Sequence, residues 1–203
     1  MRLKQLEMAL QRLAGFPRPR ASLEQYQTPA PLAARLLYHA HSKGDIREKI
    51  VCDLGSGTGT IATGAALLGA RQVKGVEIDP AAVAVASENA ALLGTRVEFI
   101  VADVRDESIT ERLIPCDTVI MNPPFGAQKA HADRPFIDCA IRIAPVTYGI
   151  FNAGSTPFIE AYVAGRATID ERVGGTFPLR RTFAFHTKDF REIRVEILRL
   201  VRN

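Results

Sequence analysis

With 203 residues and a mass of 22.2 kDa, the chain has the size of one domain, and its 47% hydrophobic and 24% charged residues are typical of a soluble globular protein. No apolar run reaches the roughly 18 residues of a membrane span, and the charged N-terminal residues lack a signal-peptide core, so we expect a cytoplasmic protein. The net charge of +4 is concentrated as basic residues at both ends, which is typical of a phosphate-binding surface and equally of solvated surface charge.

Two helices are predicted before the first strand. Four leucines recur at helical spacing over residues 3–13, until a segment rich in glycine and proline breaks the pattern. A second helix is predicted to begin at Thr28 and Pro29, a capping residue followed by proline at the first helical position. It is predicted to end at about Ser42.

From residue 50 onward the chain alternates short apolar runs with helical stretches. Strands are predicted over residues 50–54, 73–78, 97–101, 118–121, 147–151, 167–173 and 192–200. Helices are predicted over residues 61–68, 80–93, 136–144 and 155–163. Repeated strand–helix units predict a parallel α/β sheet with right-handed crossovers, whose ligands bind beyond the carboxyl ends of the strands.

A glycine-rich loop follows the first predicted strand. Asp53, Gly55, Gly57 and Gly59 lie at alternate positions between that strand and a helix, where glycine permits a sharp turn and a close approach to a ligand. Glu77 ends the second strand, and a carboxylate at this place can accept both hydroxyls of a ribose. The loop and the acid fit a dinucleotide fingerprint as well as an S-adenosylmethionine loop, so the glycine motif alone leaves both cofactors open.

The fourth predicted strand ends in the sequence Asn122-Pro123-Pro124-Phe125. Because neither proline has an N–H to donate, the strand ladder stops there and carbonyl groups point outward. The Asn122 amide oxygen and the Pro123 carbonyl can each accept one N–H of a planar exocyclic amine. This favours a pyramidal nitrogen whose lone pair attacks a sulfonium methyl group in line. Phe125 is predicted to stack on the extruded base.

This motif distinguishes methyl transfer from hydride transfer. A dehydrogenase has no use for two outward-facing acceptors after the fourth strand. Neither a metal ion nor a strong base is required, because the nitrogen becomes acidic only as it is methylated. The catalytic gain is therefore expected to come from positioning and from charge complementarity.

With these motifs the sequence resembles the class I amino-methyltransferases, and within them the small-subunit ribosomal RNA adenine-N6 methyltransferases of the methyltransferase-like five type. The resemblance covers almost the whole chain. It implies a Rossmann-like α/β fold, with a mostly parallel seven-stranded sheet, helices on both faces and an antiparallel last strand. It also implies a single domain, in which residues 1–45 form a helical part that closes over the cofactor and residues 46–203 form the core.

The resemblance implies S-adenosyl-L-methionine as the cofactor. An N-terminal segment would close over its methionine end, the glycine loop would line it, Glu77 would bind its ribose, and Asp103 with Val104 its adenine. The family often has cysteines where this chain has Ser56 and Thr58, and commonly an aspartate in place of Glu77, which are changes that preserve size or charge. The implied cofactor-binding residues are Gln25, Tyr26, Thr28, Asp53, Gly55, Gly57, Thr58, Gly59, Thr60, Glu77, Asp103 and Val104.

Six residues are predicted to contact substrate RNA. Lys129, His131 and Arg134 lie in or beside a polar loop, residues 127–135, next to the expected active site. A solvated loop without a specific role fits this first group equally well. The second group lies near the basic C-terminus and comprises Phe185, His186 and Lys188.

A protein partner is predicted at the third strand. In the usual strand order of this fold, Val97–Val101 lies at a sheet edge with unpaired backbone groups. Related enzymes bind a small zinc-binding activator protein by adding its strand to this edge, so we predict a similar partner. The three cysteines of this chain lack metal-site spacing and are predicted to be buried, inert thiols, so no metal site is expected in the chain itself.

Three other functions remain open from the sequence. Guanine-N2 methyltransferases of ribosomal RNA use the same Asn-Pro-Pro-Phe motif. Methylation of a glutamine amide in a protein factor uses a similar motif that usually ends in tyrosine, so Phe125 and the basic chain ends argue against it. A non-catalytic RNA-binding module is disfavoured because the motif is intact.

Overall fold

The computed structural model describes residues 1–126, 131–180 and 190–203. Its helices are α1 (Leu3–Leu10), α2 (Ala30–Ser42), α3 (Thr60–Leu67), α4 (Pro80–Leu92), α5 (Ser108–Leu113), α6 (Arg134–Ile143) and α7 (Thr156–Val163), with a 3-10 helix at Ala21–Leu23. Its strands are β1 (Ile50–Leu54), β2 (Gln72–Glu77), β3 (Glu98–Val101), β4 (Thr118–Met121), β5 (Val146–Asn152), β6 (Ala167–Arg180) and β7 (Phe190–Arg202). Among the described residues, no helix is both long and apolar enough to cross a membrane.

The strands form one seven-stranded sheet in the order β3-β2-β1-β4-β5-β7-β6. Strands β1 to β5 pair in parallel, whereas β7 is antiparallel to both β5 and β6. The predicted mostly parallel sheet with an antiparallel last strand is therefore confirmed. The strand order reverses at β1, which has β2 on one side and β4 on the other, and ligands bind at such reversals because the crossover helices diverge there.

Helices cover both faces of the sheet, which separates two apolar cores. On one face, the core includes Leu6 from α1, Leu36 from α2 and Ile61 from α3. On the other face, Leu113 from α5 and Ile137 from α6 belong to the second core. Strand β1 is buried along its whole length between these layers, which explains why its sequence is a continuous apolar run rather than an alternating one.

Four elements differ clearly from the sequence prediction. Helix α2 begins at Ala30, later than predicted, because the Thr28 hydroxyl accepts a hydrogen bond from a distant side chain instead of capping the helix. Helix α5 is absent from the prediction because its six residues are too few to give a periodic pattern. Strands β6 and β7 are longer than predicted because they pair with each other beyond the point where β5 ends.

The three cysteines are buried and free, as predicted. Cys52 lies in β1, Cys116 precedes β4 and Cys139 lies in α6, and all three belong to the same apolar core. Burial raises the pKa of the Cys139 thiol to about 11, because the charged thiolate is disfavoured away from water. These side chains therefore pack as small apolar groups.

Candidate functional site

A cavity of about 320 Å³ lies at the carboxyl ends of β1, β2, β3 and β4, and its volume is in the range of small-molecule sites. Segments that are far apart in the sequence meet in the wall of this cavity. Three residues predicted for catalysis or for RNA contact, Asn122, Pro124 and His131, line the cavity together with most of the predicted cofactor-binding residues. The predicted cofactor-binding residues in the wall are Gln25, Tyr26, Thr28, Asp53, Gly55, Gly57, Thr58, Thr60, Glu77, Asp103 and Val104.

The glycine loop has a backbone that only glycine adopts without strain. Gly55 and Gly57 have φ angles of +72° and +53°. A Cβ atom at Gly55 would lie 2.9 Å from the ring of Phe136, and one at Gly57 would lie 2.9 Å from the ring of Phe16. Gly59 also has a positive φ angle, but it lies outside the cavity wall, at the beginning of α3.

Glu77 joins the end of β2 to the glycine loop. One carboxylate oxygen accepts a hydrogen bond from the Gly57 backbone N–H at 2.9 Å, and the other accepts one from the Asp79 backbone N–H at 3.0 Å. Burial raises the pKa of this carboxyl, while the two backbone donors act in the opposite direction. Because Glu77 is held from both sides and lines the cavity, its remaining lone pairs are fixed relative to the loop.

Asp53 is buried at the end of β1 with one satisfied and one unsatisfied oxygen. Its Oδ2 accepts a hydrogen bond from the Ala62 N–H at 2.9 Å, and its Oδ1 has no partner among the described residues. Burial, together with the smaller effect of the neighbouring Glu77, raises the pKa of Asp53 to about 7 against the lowering effect of the Ala62 bond. The unpartnered oxygen belongs to a residue of the cavity wall, where a positively charged ligand group would stabilise the ionised carboxylate.

This raised pKa predicts a pH-dependent stability. Since the folded state holds the Asp53 proton more tightly than the unfolded chain does, the contribution to the free energy of unfolding is fully present below about pH 4 and is lost as the pH rises through about 7. Asp53→Asn mimics the protonated form. Without ligand, we expect the variant to be more stable than the wild type by up to about 4 kcal/mol at pH 8 and by only about 1 kcal/mol at pH 4.5. Urea unfolding at both pH values measures this, and a pH-independent difference would contradict it.

Asp103 occupies the predicted place after β3, but it has a partner that the sequence prediction missed. Its carboxylate forms an ion pair with the Arg105 guanidinium, which donates from Nε at 2.9 Å, and it accepts the Arg105 backbone N–H at 2.9 Å. The hydrogen bond from Arg105 holds the pKa of Asp103 below its usual range. Arg105 itself lines the cavity. Asp103 is thus an ionised, anchored acceptor at the cavity wall.

Asn122 follows β4, and a residue from the N-terminal segment fixes its amide. The Asn122 Nδ2 group donates a hydrogen bond to the Thr28 hydroxyl at 2.9 Å, and Oδ1 is buried without a partner among the described residues. With the amide in this orientation, its oxygen is the atom that remains free to accept a hydrogen bond. Pro123 is buried outside the cavity wall, and the Phe125 ring packs 5.7 Å from the Tyr26 ring.

Thr28 holds the Asn122 amide in place, and a positioning role for its hydroxyl can be tested separately. Thr28→Val removes the oxygen that accepts from Asn122, so we expect kcat to fall about tenfold, the cost of one misplaced hydrogen bond. Affinity for the product S-adenosylhomocysteine should change less than about threefold. Thr28→Ser keeps the hydroxyl and should retain activity near that of the wild type. Equal kcat values for the valine and serine variants would contradict the role.

Gln25 fixes the segment that precedes Thr28. Its amide nitrogen donates to Asp79 Oδ2 at 2.8 Å, and its amide oxygen accepts the Arg20 backbone N–H at 2.8 Å. Asp79 also accepts hydrogen bonds from the Arg20 guanidinium and from the Ala81 N–H at the beginning of α4, at 3.0 Å each. Both ends of the Gln25 amide are used inside the protein, so the side chain tethers the segment from Arg20 to Thr28 to the Rossmann-like core.

Unsatisfied polar atoms are concentrated in the cavity wall. Within the described residues, four wall residues carry a buried side-chain polar atom without a hydrogen-bond partner, namely Asp53, Ser56, Thr58 and Asn122. Buried polar groups normally have partners, so these atoms indicate a ligand with several polar groups. The ammonium, the ribose hydroxyls and the adenine amine of S-adenosylmethionine are matching donors, and the residues present therefore fit this cofactor.

The predicted RNA contacts fall into two groups. His131 lines the cavity, and Arg134 is the first residue of α6 beside it. Lys129, Phe185, His186 and Lys188 lie outside the described residues. Within the described ranges, no group of three or more histidine, cysteine or acidic side chains is arranged to hold a metal ion.

Several apolar wall residues were missing from the sequence prediction, among them Phe16, Ile78 and Phe136. Phe16 and Phe136 contact the glycine loop from distant parts of the chain, and Ile78 is 42% exposed in the wall directly after Glu77. An exposed isoleucine after a strand-end acid is a signal that sequence reasoning could have used. The two phenylalanines gave no such signal, because their proximity to the loop depends on tertiary structure.

Comparison with known proteins identifies related chains. Residues 32–143 match the family described as the methyltransferase small domain. An uncharacterized protein of Methanocaldococcus jannaschii is 38% identical over 97% of this chain and 93% of its own length. The rRNA N(6)-adenosine-methyltransferase METTL5 of Danio rerio is 32% identical over 98% of both chains. The crystal structure of a candidate RNA methyltransferase from Pyrococcus horikoshii has 40% identity and a TM-score of 0.91, and covers 100% of this chain and 98% of its own.

Proposed function

This chain belongs to the methyltransferase small domain family, as a class I S-adenosylmethionine-dependent methyltransferase of the METTL5 type, and we propose that it methylates the exocyclic N6 amine of an adenine in small-subunit ribosomal RNA. The observation that carries this proposal is the unpartnered amide oxygen of Asn122 in the wall of a cavity that the glycine loop also lines. The full-length similarity to METTL5 supports the choice of adenine in ribosomal RNA.

S-adenosyl-L-methionine is the cofactor, and when bound it supplies an electrophilic methyl group. The chain's own residues would hold it at several points. Glu77 would accept the ribose hydroxyls, and Asp103 with the Val104 N–H would bind the adenine ring. The unpartnered oxygen of Asp53 faces the methionine end in this assignment. The remaining proposed contacts come from Tyr26, Thr28, Gly55, Gly57, Thr58 and Thr60. Gln25 would act by holding the segment that carries Thr28, and Gly59, which lies outside the cavity wall, would act through the turn into α3.

The proposed role of the Asn-Pro-Pro-Phe segment is to position the acceptor amine. The Asn122 amide oxygen accepts one N–H of the amine and the Pro123 carbonyl accepts the other, so the nitrogen lone pair is directed into the cavity. Phe125 stacks on the base, and Pro124 forms part of the cavity wall. The nitrogen would gain its bond to the methyl carbon as the sulfonium–methyl bond breaks and leaves S-adenosylhomocysteine, and it would lose one proton to solvent past the accepting oxygens. Catalysis comes from orientation and from acceptors placed where positive charge develops.

Transfer of labelled methyl groups from S-adenosylmethionine to isolated small ribosomal subunits tests this function. We expect label in RNA that is lost after digestion with ribonuclease. Label that stays in protein after this digestion would instead support the glutamine-amide alternative. A guanine-N2 acceptor would keep the mechanism and change the base, because the same two acceptors suit either amine.

A protein partner at β3 also belongs to this proposal. Strand β3 lies at the edge of the sheet, and Val101 at its end is 50% exposed. An edge strand with exposed apolar side chains is suited to pairing with a strand from another chain, and we propose that a small zinc-binding activator protein pairs there. Purification from native extract should yield the chain with such a protein bound. A chain that is monomeric, stable and fully active alone would contradict this pairing.

The proposal also covers the location of the protein and the division of the chain. The cytoplasmic location is part of this proposal, and fractionation of cells that express the tagged chain tests it. The division into a closing part, residues 1–45, and a core, residues 46–203, agrees with the position of Gln25 and Thr28 in the cavity wall. If the N-terminal part closes over the cofactor, bound S-adenosylhomocysteine should slow proteolysis between Phe16 and Thr28.

A further inference from the structure

Alternating aromatic and cationic side chains form a continuous surface beside the cavity. The His131 ring stacks on the Phe158 ring with centroids 5.8 Å apart and planes 20° apart, and Phe158 stacks on Tyr162 at 6.0 Å and 15°. The Arg134 guanidinium lies over both Phe158 and Tyr162, at 5.3 and 5.1 Å from their centroids, and Arg166 lies 5.1 Å over Tyr162. We name these five residues the aromatic ladder.

The ladder begins at the cavity and leads away from it. His131 lines the cavity, and Arg134 is the first residue of α6. Phe158 and Tyr162 lie one turn apart on α7, which follows the carboxyl end of β5, the strand beside β4. The cavity end of the ladder, formed by His131, Arg134 and Phe158, therefore lies on the same edge of the sheet as Asn122. Tyr162 and Arg166 extend the ladder along α7 toward the opposite edge.

Exposure and charge distinguish the ladder from ordinary helix packing. Phe158 is 37% exposed, and His131 is exposed as well. Arg166 forms an ion pair with Asp138 at 2.7 Å, which also accepts the Tyr162 hydroxyl. Among the described residues, Arg134 has no carboxylate within ion-pair distance, and its Nε has no hydrogen-bond partner. Positive charge is thus left unneutralised directly over exposed aromatic rings.

We propose that the aromatic ladder binds a single-stranded nucleotide adjacent to the methylated base. The neighbouring base stacks at the cavity end of the ladder, against His131 and Phe158, and its phosphate contacts the Arg134 guanidinium. Stacked aromatic rings beside cations are the features by which proteins bind single-stranded nucleic acid, because every base has a π face and every nucleotide a phosphate. The inference rests on the proposed function, since it assigns the flanking part of the same substrate.

Binding of a short fluorescein-labelled single-stranded RNA, measured by fluorescence anisotropy, tests the ladder. We expect Phe158→Leu to weaken binding about tenfold, from the loss of one stacking contact. Arg134→Gln should weaken it too and should reduce the slope of log Kd against log salt by about 0.7, the value for one phosphate contact on a single strand. A change in salt slope is a result that a purely structural role of Arg134 would not produce.

Tyr38→Leu is the matched control, because Tyr38 is 38% exposed on α2, which packs on the opposite face of the sheet. Its RNA affinity should equal that of the wild type, and all variants should bind S-adenosylhomocysteine normally if they are folded. Phe158→Leu binding RNA as tightly as Tyr38→Leu, or a wild type that does not bind the RNA, would overturn the ladder. A wild type that binds through the ladder but methylates no RNA would overturn the proposed function alone.

Discussion

Asn122→Ala should reduce kcat for methyl transfer about 10³-fold while affinity for S-adenosylhomocysteine changes less than about threefold. The amide oxygen of Asn122 is buried, without a partner among the described residues, and held in one orientation by Thr28. Removing a preorganised group that acts on the reacting atoms costs roughly this factor in other enzymes. Single-turnover kinetics at saturating RNA, with calorimetric titration of S-adenosylhomocysteine, measures both quantities.

Asn152→Ala is the matched control for this variant. Asn152 ends β5, the strand next to β4, and its side chain is exposed. At saturating RNA the control should keep the wild-type kcat. Turnover of Asn122→Ala at the control's level would show that the amide takes no part in catalysis. A large loss of S-adenosylhomocysteine affinity would instead show that Asn122 acts through the cofactor site.

Glu77→Gln should weaken S-adenosylhomocysteine binding about 100-fold. Both carboxylate oxygens of Glu77 accept backbone N–H groups, one from Gly57 and one from Asp79. Glutamine has a single accepting oxygen, so its NH2 group must face one of these donors. The substitution therefore loses charge-assisted hydrogen bonds and disturbs the loop beside the ribose, which corresponds to about 2.7 kcal/mol.

The control is Glu98→Gln, which removes the same charge from the first residue of the neighbouring strand β3. Glu98 lies at the amino end of the strands, whereas Glu77 and the cavity lie at their carboxyl ends. Glu98 is exposed, so S-adenosylhomocysteine affinity should remain that of the wild type. Calorimetric titration of both variants compares them directly. If Glu77→Gln bound as tightly as Glu98→Gln, the carboxylate would not belong to the cofactor site.

Much of the fold could be predicted because its signals are local. The apolar run of β1 and the glycine loop place the first strand–helix unit, and the alternation that follows predicts a parallel sheet. Helix α5 is too short for a periodic signal. The full length of β6 and β7 depends on their pairing with each other, which a pattern within either strand does not contain.

The candidate site shows the same division between local and long-range signals. Motifs identify Asp53, Glu77 and Asn122, since each lies at the carboxyl end of a recognisable strand. The bond between Thr28 and Asn122 joins residues 94 positions apart, so no local pattern predicts it. The aromatic ladder likewise arises only when α6 and α7 pack side by side, although His131 and Arg134 were expected near RNA for their charge.

Nucleoside mass spectrometry of ribosomal RNA methylated by the purified chain is the most direct test of the central claim. With S-adenosylmethionine as the donor, small-subunit RNA treated with the wild type should yield N6-methyladenosine, and RNA treated with Asn122→Ala should yield none. Methylguanosine in place of N6-methyladenosine would contradict the assigned base. A methylated glutamine in protein, with no methylated nucleoside, would contradict RNA as the substrate.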